Sequence, residues 1–437
     1  MRLRTFEGGI YLLGRKEATQ NKPIEDIPLP PEVVIPLHQH VGPPCDPLVQ
    51  KGDRVLVGQK IGDTDTFISA PIHASVSGEV KAVEPHPHFT GTEVLSVVVV
   101  PDGEQEEVRL EVPDQDKLTP DRVRSIVREA GIVGLSGTVF PTHVKLSPPK
   151  ESPIESVIIN GCECEPYLTG DYRSMLESTE SLIVGLKIIL MTVGAKKGYF
   201  GIGVDKAEAI KRIEDLTARE QNIEVVPLDT KYPQGSERHL IKAILGREVP
   251  RDGVPMDLGV LVQNVATTIA ITQAVREGKP LVERVLTVTG PGIKNPKNLR
   301  VKIGTLVKYL IEQCGGFEGE PGKIIFGGVM RGEAQFSLDV PVVKGSQGIV
   351  VLPKEMAEVS SPRPCVRCGR CVKVCPMSLI PIFIVTYVME DKIDEANAAG
   401  VLECVECGAC GLICPTEIPF IQYIRFAKNI LLKERKT

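Results

Sequence analysis

The sequence has no apolar run long enough to cross a bilayer. Its longest, residues 181–194 and 379–389, fall short of the roughly 20 residues a spanning helix needs, and Lys187 interrupts the first. A basic excess is also missing. The chain carries 51 Lys and Arg against 56 Asp and Glu, a net charge of −5, which argues against nucleic acid as a main partner. No N-terminal stretch has the basic, apolar, small-residue order of a secretory signal. The 12 cysteines lack the spacing of a secreted disulfide framework, so a reducing cytosol is expected. What remains is an ordinary globular composition over 437 residues, 42% hydrophobic and 24% charged, enough for about three domains of roughly 150 residues.

Eight of the cysteines form two copies of one pattern, C-x2-C-x2-C-x3-C-P. The first is Cys365, Cys368, Cys371, Cys375 and Pro376; the second is Cys404, Cys407, Cys410, Cys414 and Pro415. Three thiolates at this interval can hold three corners of an iron–sulfur cube, while the cysteine before proline ligates the other cluster. The expected sets are therefore Cys365, Cys368, Cys371 and Cys414 for one 4Fe-4S cluster, and Cys404, Cys407, Cys410 and Cys375 for a second. Paired zinc sites or disulfides are the competing readings, but zinc favours four ligands in paired C-x2-C spacing. Two such clusters imply transfer of single electrons.

Ahead of these repeats the composition changes along the chain. The first hundred residues alternate short apolar runs with turn residues, a β-rich signature. Within them, residues 49–61 and 68–80 resemble the two halves of a lipoyl- or biotinyl-type hammerhead. Those carriers present a lysine at the hairpin tip, and here the tip reads Asp63-Thr64-Asp65-Thr66; a structural module without a swinging arm is expected. Thr119-Pro120-Asp121 opens a helix, with a capping hydroxyl and proline at the first helical position. Strands at 157–159, 198–204 and 223–228 then alternate with helices at 174–193 and 206–220, which implies a parallel sheet with right-handed crossovers. Residues 280–353 read strand, helix, strand, a small β-grasp-like unit, and helices are expected at 391–399 and 419–433 beside the cysteines. The fold class is thus α/β multidomain: a β-rich hammerhead domain (1–115), a parallel-sheet domain of the kind that binds ligands at its strand ends (116–279), a β-grasp-like domain (280–353) and a helical two-cluster domain (354–437). The basic end Lys433-Glu434-Arg435-Lys436 reads as a solvated helix terminus rather than a lipid-binding patch.

Two loops in the α/β part carry chemistry. Residues 133–145 include Gly134 and Gly137 and end at Lys145, and glycines let backbone amides approach a phosphate; common glycine turns are the alternative. Asn160-Gly161-Cys162-Glu163-Cys164-Glu165-Pro166 follows a buried strand, where an amide and two carboxylates can bond ribityl or ribose hydroxyls; a solvated turn is the alternative.

The order Phe-Pro-Thr-x-x-Lys, Asn-x-x-Glu-x-Glu-Pro, Tyr-x-x-Gly-x-Glu and Gln-Asn-Val-x-Thr resembles the FMN- and NADH-binding subunit of respiratory complex I. The whole architecture, from Phe6-Glu7-Gly8-Gly9-Ile10 and residues 35–42 to the cysteine repeats, is similar to the RnfC family of Rnf ion-translocating ferredoxin:NAD⁺ oxidoreductase complexes. The resemblance implies non-covalent FMN, NAD(H) as substrate, and a peripheral place on the cytoplasmic face of a membrane complex, whose membrane-embedded and iron–sulfur subunits would be the partners. It implies that Asn160, Glu163 and Cys164 line FMN, and that Glu165 faces the nicotinamide nucleotide. Lys145 would balance flavin or phosphate charge, and Phe140 would stack on the nucleotide. Tyr232 to Glu237 match a loop closing over both, and Asn264 the polar end of the phosphate pocket. A flavin passes electrons in pairs or singly, so the protein's task would be to orient it, with no catalytic acid or nucleophile. A soluble flavin iron–sulfur reductase of the cobalamin-reductase type and a flavin-free electron-wiring module are the alternatives.

The chain departs from the complex I pattern at one loop, where Ser136-Gly137-Thr138-Val139 replaces Gly-Gly-Ala-Gly. A side chain forced to positive φ costs about 1–3 kcal/mol. Among smaller features, Cys162 and Cys164 read as thiols in a turn rather than a third metal site. The pairs His38/His40 and His86/His88 read as surface or hydrogen-bonded rather than metal-binding. Gly201-Ile202-Gly203 reads as a turn, lacking the third glycine of a dinucleotide fingerprint, and Cys45 and Cys314 as buried, inert side chains.

Overall fold

The computed structural model describes residues 3–358 and 361–434. Its centre is a four-stranded sheet in the order Ile223–Leu228, Lys197–Gly203, Ser156–Gly161, Val260–Asn264, parallel throughout. The first three strands lie within a few residues of their expected positions; the fourth was not anticipated. On one face the helices Pro120–Glu129, Thr179–Val193 and Val265–Glu277 bury Val123, Leu186 and Ile271 against Val157 and Ile159. Helix Glu237–Leu245 covers the other face with Leu240, Ile241 and Ile244. Helix Pro120–Glu129 starts as its sequence indicates: Thr119 Oγ1 accepts from Arg122 N at 3.3 Å, and Pro120 takes the first turn.

Two expectations need correction. The helix placed over 174–193 is two helices, Gly170–Glu177 and Thr179–Val193, that meet at Ser178 with φ −132°. Apolar spacing runs through the break because Leu176 and Leu182 enter the same core, so periodicity alone does not reveal it. Gly201-Ile202-Gly203 is not a turn but the end of strand Lys197–Gly203. A methyl on Gly201 would lie 2.8 Å from Leu240 Cδ1 and Ile244 Cδ1, so the absence of a side chain there admits a close-packed helix.

Before the parallel sheet lies a β-rich region whose core holds Ile35, Val55, Ile61, Val80 and Val97. It contains a four-stranded sheet ordered Val33–Pro36, Glu93–Pro101, Gly78–Pro87, Arg54–Val55, and a three-stranded sheet of Asp46–Pro47, Lys60–Asp63 and Ile72–His73. After it, a six-stranded mixed sheet recruits Ile24–Asp26 from near the N-terminus, which runs parallel to Lys297–Lys302. The cysteine-rich end is helical. Pro381–Met389, Ile393–Ala398 and Phe420–Glu434 pack around Ile384, Val385, Phe420 and Ile424. Lys433 lies in the last of these helices, whereas Arg435 and Lys436 of the basic end lie outside the described residues. Among the described residues, no helix is long and apolar enough to cross a membrane.

Candidate functional site

Parallel strands end together, so the loops beyond their carboxyl ends share one edge of the sheet. Asn160 stands at that edge, on strand Ser156–Gly161. Its Nδ2 donates to Gly235 O at 2.8 Å and its Oδ1 accepts from Cys162 N at 3.2 Å, which fixes the turn that follows. There Glu163 adopts φ +38°, an uncommon backbone for a residue with a side chain. Its carboxylate accepts from Asp171 N at 2.7 Å and Tyr172 N at 3.3 Å, at the start of helix Gly170–Glu177, where unpaired N–H groups favour negative charge. Next along the turn, Cys164 Sγ accepts from Gly235 N at 3.4 Å, and Glu165 accepts from Met330 N at 3.0 Å.

Sequence reasoning missed Lys16. Its buried ammonium donates to Glu163 O at 2.7 Å and Leu168 O at 2.6 Å, and lies 3.7 Å from the Glu163 carboxylate. Burial lowers the Lys16 pKa and raises that of Glu163, and the attraction between the two charges opposes both shifts. No local pattern marks a lysine 147 residues from its partner; the nearest signal is the Phe6–Ile10 stretch just before it. Lys16, Glu163, Cys164, Tyr232 and Gln234 line a pocket of about 440 Å³. Gln234 Oε1 is buried there without a hydrogen-bond partner.

The other expected residues are not on this lining. Lys145 Nζ donates to Glu237 Oε1 at 2.8 Å and to Val262 O at 3.1 Å, joining two residues far apart in sequence. Asn264 caps helix Val265–Glu277 by accepting from Ala266 N at 2.9 Å, and donates to Asp171 Oδ2 at 2.6 Å. Asp171 is a second residue the sequence did not single out. The loop carrying Gly137 and Phe140 is tied to the same helix by Leu135 N donating to Thr267 Oγ1 at 2.9 Å. Gly137 has φ +70° and open space around it, while Val139 is held at φ +53°. A β-branched residue is strained there, as the loop's departure from glycine suggested.

Tyr232 joins this region to the cysteines. Buried to 2% exposure, it donates its hydroxyl to Cys407 O at 2.8 Å and stands 3.5 Å from Glu165 Oε1. Close by, His239 Nε2 lies 3.1 Å from Pro376 O. Cys375, Cys404, Cys407 and Cys410 line one mostly apolar cavity of about 370 Å³ with Leu379 and Ile384. Burial raises all four thiols, that of Cys407 to about 11. Among the described residues, no three His, Cys, Asp or Glu side chains stand close enough to hold a single metal ion; these four thiols are spread around a cavity wall.

The remaining cysteines of the repeats are more open. Cys365 and Cys368 are exposed and Cys371 half-buried. Cys414 Sγ lies 3.3 Å from Thr416 Oγ1, and Arg363 ties the stretch before Cys365 to this arm through Thr416 O at 2.9 Å and Pro415 O at 3.0 Å. Elsewhere, Cys162 is buried with its thiol raised, and Cys45 and Cys314 are buried, raised to about 11 and about 12. His40 bonds to Val41 O at 3.2 Å and lies 3.5 Å from Cys45 Sγ, and His88 Nδ1 lies 2.8 Å from Thr90 Oγ1.

Four family models match the sequence. They are described as an RnfC barrel sandwich hybrid domain over residues 4–104, a Nuo51 FMN-binding domain over 127–273, an SLBB domain over 285–334 and a 4Fe-4S dicluster domain over 357–415. The chain is 44% identical to the C component of the Na(+)-translocating ferredoxin:NAD(+) oxidoreductase complex of Acetobacterium woodii, covering 99% of this chain and 98% of that protein. It is 46% identical to the C component of the proton-translocating ferredoxin:NAD(+) oxidoreductase complex of Clostridium ljungdahlii, covering 98% and 94%. Identity to the C component of the ion-translocating oxidoreductase complex of Rhodobacter capsulatus is 41%, covering 99% and 84%. Among solved structures, a chain of the air-oxidized NAD+-reducing NiFe-hydrogenase shares the fold at a TM-score of 0.51 and 18% identity, over 67% of this chain and 60% of that one.

Proposed function

The chain belongs to the RnfC family, the C components of ion-translocating ferredoxin:NAD(+) oxidoreductase complexes, and from that premise we propose that it is the station where electrons pass between NAD(H), FMN and two 4Fe-4S clusters. It is a peripheral electron-transfer subunit whose partners are the other subunits of the complex, including membrane-embedded and iron–sulfur ones. In this reading it sits on the cytoplasmic face, and any ion movement belongs to those partners. The four-part division at 115, 279 and 353, with hammerhead-like and β-grasp-like modules, is part of the same proposal.

One observation carries the reading: Tyr232 both lines the pocket at the sheet edge and donates to Cys407 O in the wall of the four-cysteine cavity. A flavin in that pocket and a cluster in that cavity would share Tyr232, which supports electron transfer between them. The pocket residues fit a flavin. The buried, unpartnered Gln234 Oε1 can accept from a ring N–H or a ribityl hydroxyl, Glu163 adds a carboxylate to the same lining, Asn160 would line FMN from the turn it holds, and Lys16 supplies positive charge. Bound FMN supplies the exchange between hydride pairs and single electrons. Glu165 and Phe140 would face the nicotinamide nucleotide, Gly137, Lys145, Glu237 and Asn264 would bound its phosphate end, and Tyr232 and Cys164 would position the flavin. Cys375, Cys404, Cys407 and Cys410 would hold the cluster nearest the flavin, in a cavity with a mostly apolar lining. Cys365, Cys368, Cys371 and Cys414 would hold the second, at the surface.

The test is anaerobic addition of NADH to purified chain whose iron, sulfide and FMN have been counted. The expected result is cluster reduction seen by electron paramagnetic resonance. A sample carrying one FMN and eight iron atoms per chain, in which NADH reduces neither flavin nor cluster, would refute the proposal.

A further inference from the structure

The two cysteine repeats are built on one backbone. Arg367 and Glu406 occupy the same position and have φ of +53° and +52°, and Gly369 and Gly408 follow with +71° and +79°. In both loops the same amide donates to the first cysteine, Arg367 N to Cys365 Sγ at 3.3 Å and Glu406 N to Cys404 Sγ at 3.4 Å. Where the loops differ, the difference therefore lies in what surrounds them and not in how they fold.

The differences lie in charge at three positions and in burial at two of them. Glu406 is held by Arg425 at 3.0 Å and Lys428 at 2.7 Å, whereas Arg367 is exposed. Ala409 is fully buried, whereas its counterpart Arg370 is exposed. Leu412, itself 56% exposed, corresponds to the exposed Lys373, so the change there is from an apolar side chain to a cation. Among the described residues, none of Arg367, Arg370 and Lys373 takes part in an ion pair of the kind that holds Glu406. From Ser361 to Val374 the chain has four cations and no carboxylate, in a molecule whose net charge is −5; the nearest acid on the adjoining arm is Glu417, which has its own interactions. Between the cations Val366 is 64% exposed, and Cys365 and Cys368 are exposed with it.

We propose that this face docks a protein partner with a carboxylate-rich surface around its own redox centre, and that electrons cross between the partner and the cluster at Cys365, Cys368, Cys371 and Cys414. The inference rests on the two-cluster reading above. Unpaired cations around an apolar centre give orientation and rapid encounter with an acidic surface. They favour a protein over anionic lipid because the exposed cysteines lie within the patch, and a lipid headgroup there would offer no electron acceptor.

The experiment uses membranes that carry the other subunits but lack this chain, and protein-free vesicles of the same anionic phospholipids. Both are titrated with the cluster-loaded full chain as wild type, as Arg367→Glu/Arg370→Glu/Lys373→Glu, and as Arg367→Lys/Arg370→Lys. Binding is measured without NADH, so a failure of NADH oxidation leaves the result readable. The wild type is expected to bind the subunit-bearing membranes, roughly tenfold more weakly at about 300 mM salt than at about 50 mM. Charge reversal should weaken binding by about tenfold or more and the lysine variant by no more than about threefold. Lys373→Glu alone changes an exposed side chain and leaves the backbone hydrogen bonds of the loop in place; it should show a smaller loss in the same direction and keeps the test valid if the triple variant loses iron. Reversal variants that bind as tightly as wild type overturn the proposal. So do vesicles that capture the wild type as tightly and lose it on the same substitutions, which would assign the face to lipid.

Discussion

Replacing Gly8 with alanine asks whether the N-terminal segment is part of the redox site. Gly8 and Gly9 lie at φ +72° and +73°, between the cysteine loop and the parallel-sheet domain. A methyl on Gly8 would stand 2.6 Å from Cys375 O and 3.1 Å from Pro376 Cα, both backbone atoms. The left-handed backbone costs an alanine about 1 kcal/mol, and relieving overlap with a packed main chain adds about 1–3 kcal/mol. Against this stand three hydrogen bonds, Gly9 N to Val374 O and the reciprocal pair between Ile10 and Tyr232, each 2.9 Å. At about 0.5–1.5 kcal/mol apiece they contribute roughly 1.5–4.5 kcal/mol. Phe6, buried against His239 with ring centroids 4.6 Å apart, holds the segment further upstream.

Because the two sums are comparable, Gly8→Ala should release residues 8–10 locally and leave the domains folded. The consequence should appear at Cys375, whose carbonyl meets the new methyl. Iron and sulfide should fall toward half of the complement proposed for two clusters, and the surviving paramagnetic signal should come from the cluster proposed at Cys365, Cys368, Cys371 and Cys414. Gly52→Ala is the control: Gly52 has φ +92° but no atom within 4 Å of the added methyl, so it carries the backbone cost of about 1 kcal/mol alone. If Gly8→Ala keeps its full iron content and loses no more stability than Gly52→Ala, the segment is mere covering and the reasoning fails.

Three further outcomes are expected. Val139→Gly removes about 1–2 kcal/mol of backbone strain at φ +53°, against about 1 kcal/mol for a half-buried side chain; FMN should bind more tightly in a fluorescence titration, and weaker binding would show that the strained loop is needed. Tyr232→Phe deprives the buried Cys407 carbonyl of its 2.8 Å donor and should cost about 1–3 kcal/mol in denaturant unfolding, with slower NADH-driven cluster reduction in stopped flow; unchanged stability would mean that the bond contributes nothing. Burial lowers His40 to about 4, His73 to about 3 and His239 to about 4, below the unfolded value of about 6.5. Between those limits the unfolded chain binds more protons, so stability should fall as pH drops from 6.5 toward 4, by about 2 kcal/mol per imidazole at pH 5. Denaturant midpoints at pH 7 and pH 5 check the slope, and His73→Gln should flatten it.

The features legible in the sequence are those whose physics is local. The Thr119 cap, the three strands of the parallel sheet and the eight spaced cysteines each depend on residues a few positions apart. The missed features depend on partners brought together by folding. The strand Ile24–Asp26 has no sheet until Lys297–Lys302 reaches it, and the Lys145–Glu237 pair joins residues 92 apart. Lys16 gives no sign of being buried, since an isolated lysine in a polar stretch reads as solvent-facing. Asp171 lies in the first turn of helix Gly170–Glu177, where an acid is ordinary, and only the 2.6 Å bond from Asn264 marks it out.

The same long-range contacts fix the spacing on which electron transfer depends. Residues 4–26 visit each neighbour in turn: Arg4 bridges to Leu228 at the sheet edge, Gly9 bonds to Val374 in the cysteine loop, Ile10 pairs with Tyr232, Lys16 enters the Glu163 turn, and Ile24 joins the six-stranded mixed sheet. A linker between separate modules would let the pocket and the cysteine cavity drift apart. Here one extended segment is hydrogen-bonded to both, and Tyr232 meets it on one side and Cys407 on the other. Moving either region requires breaking bonds at several of these points together, which makes the separation of the two sites a property of the fold and not of a flexible hinge. The sequence repeat at the cysteines therefore does not give two equivalent ends: the loop around Cys407 is clamped inside this arrangement, and the loop around Cys368, with the same backbone, is left for a partner to reach.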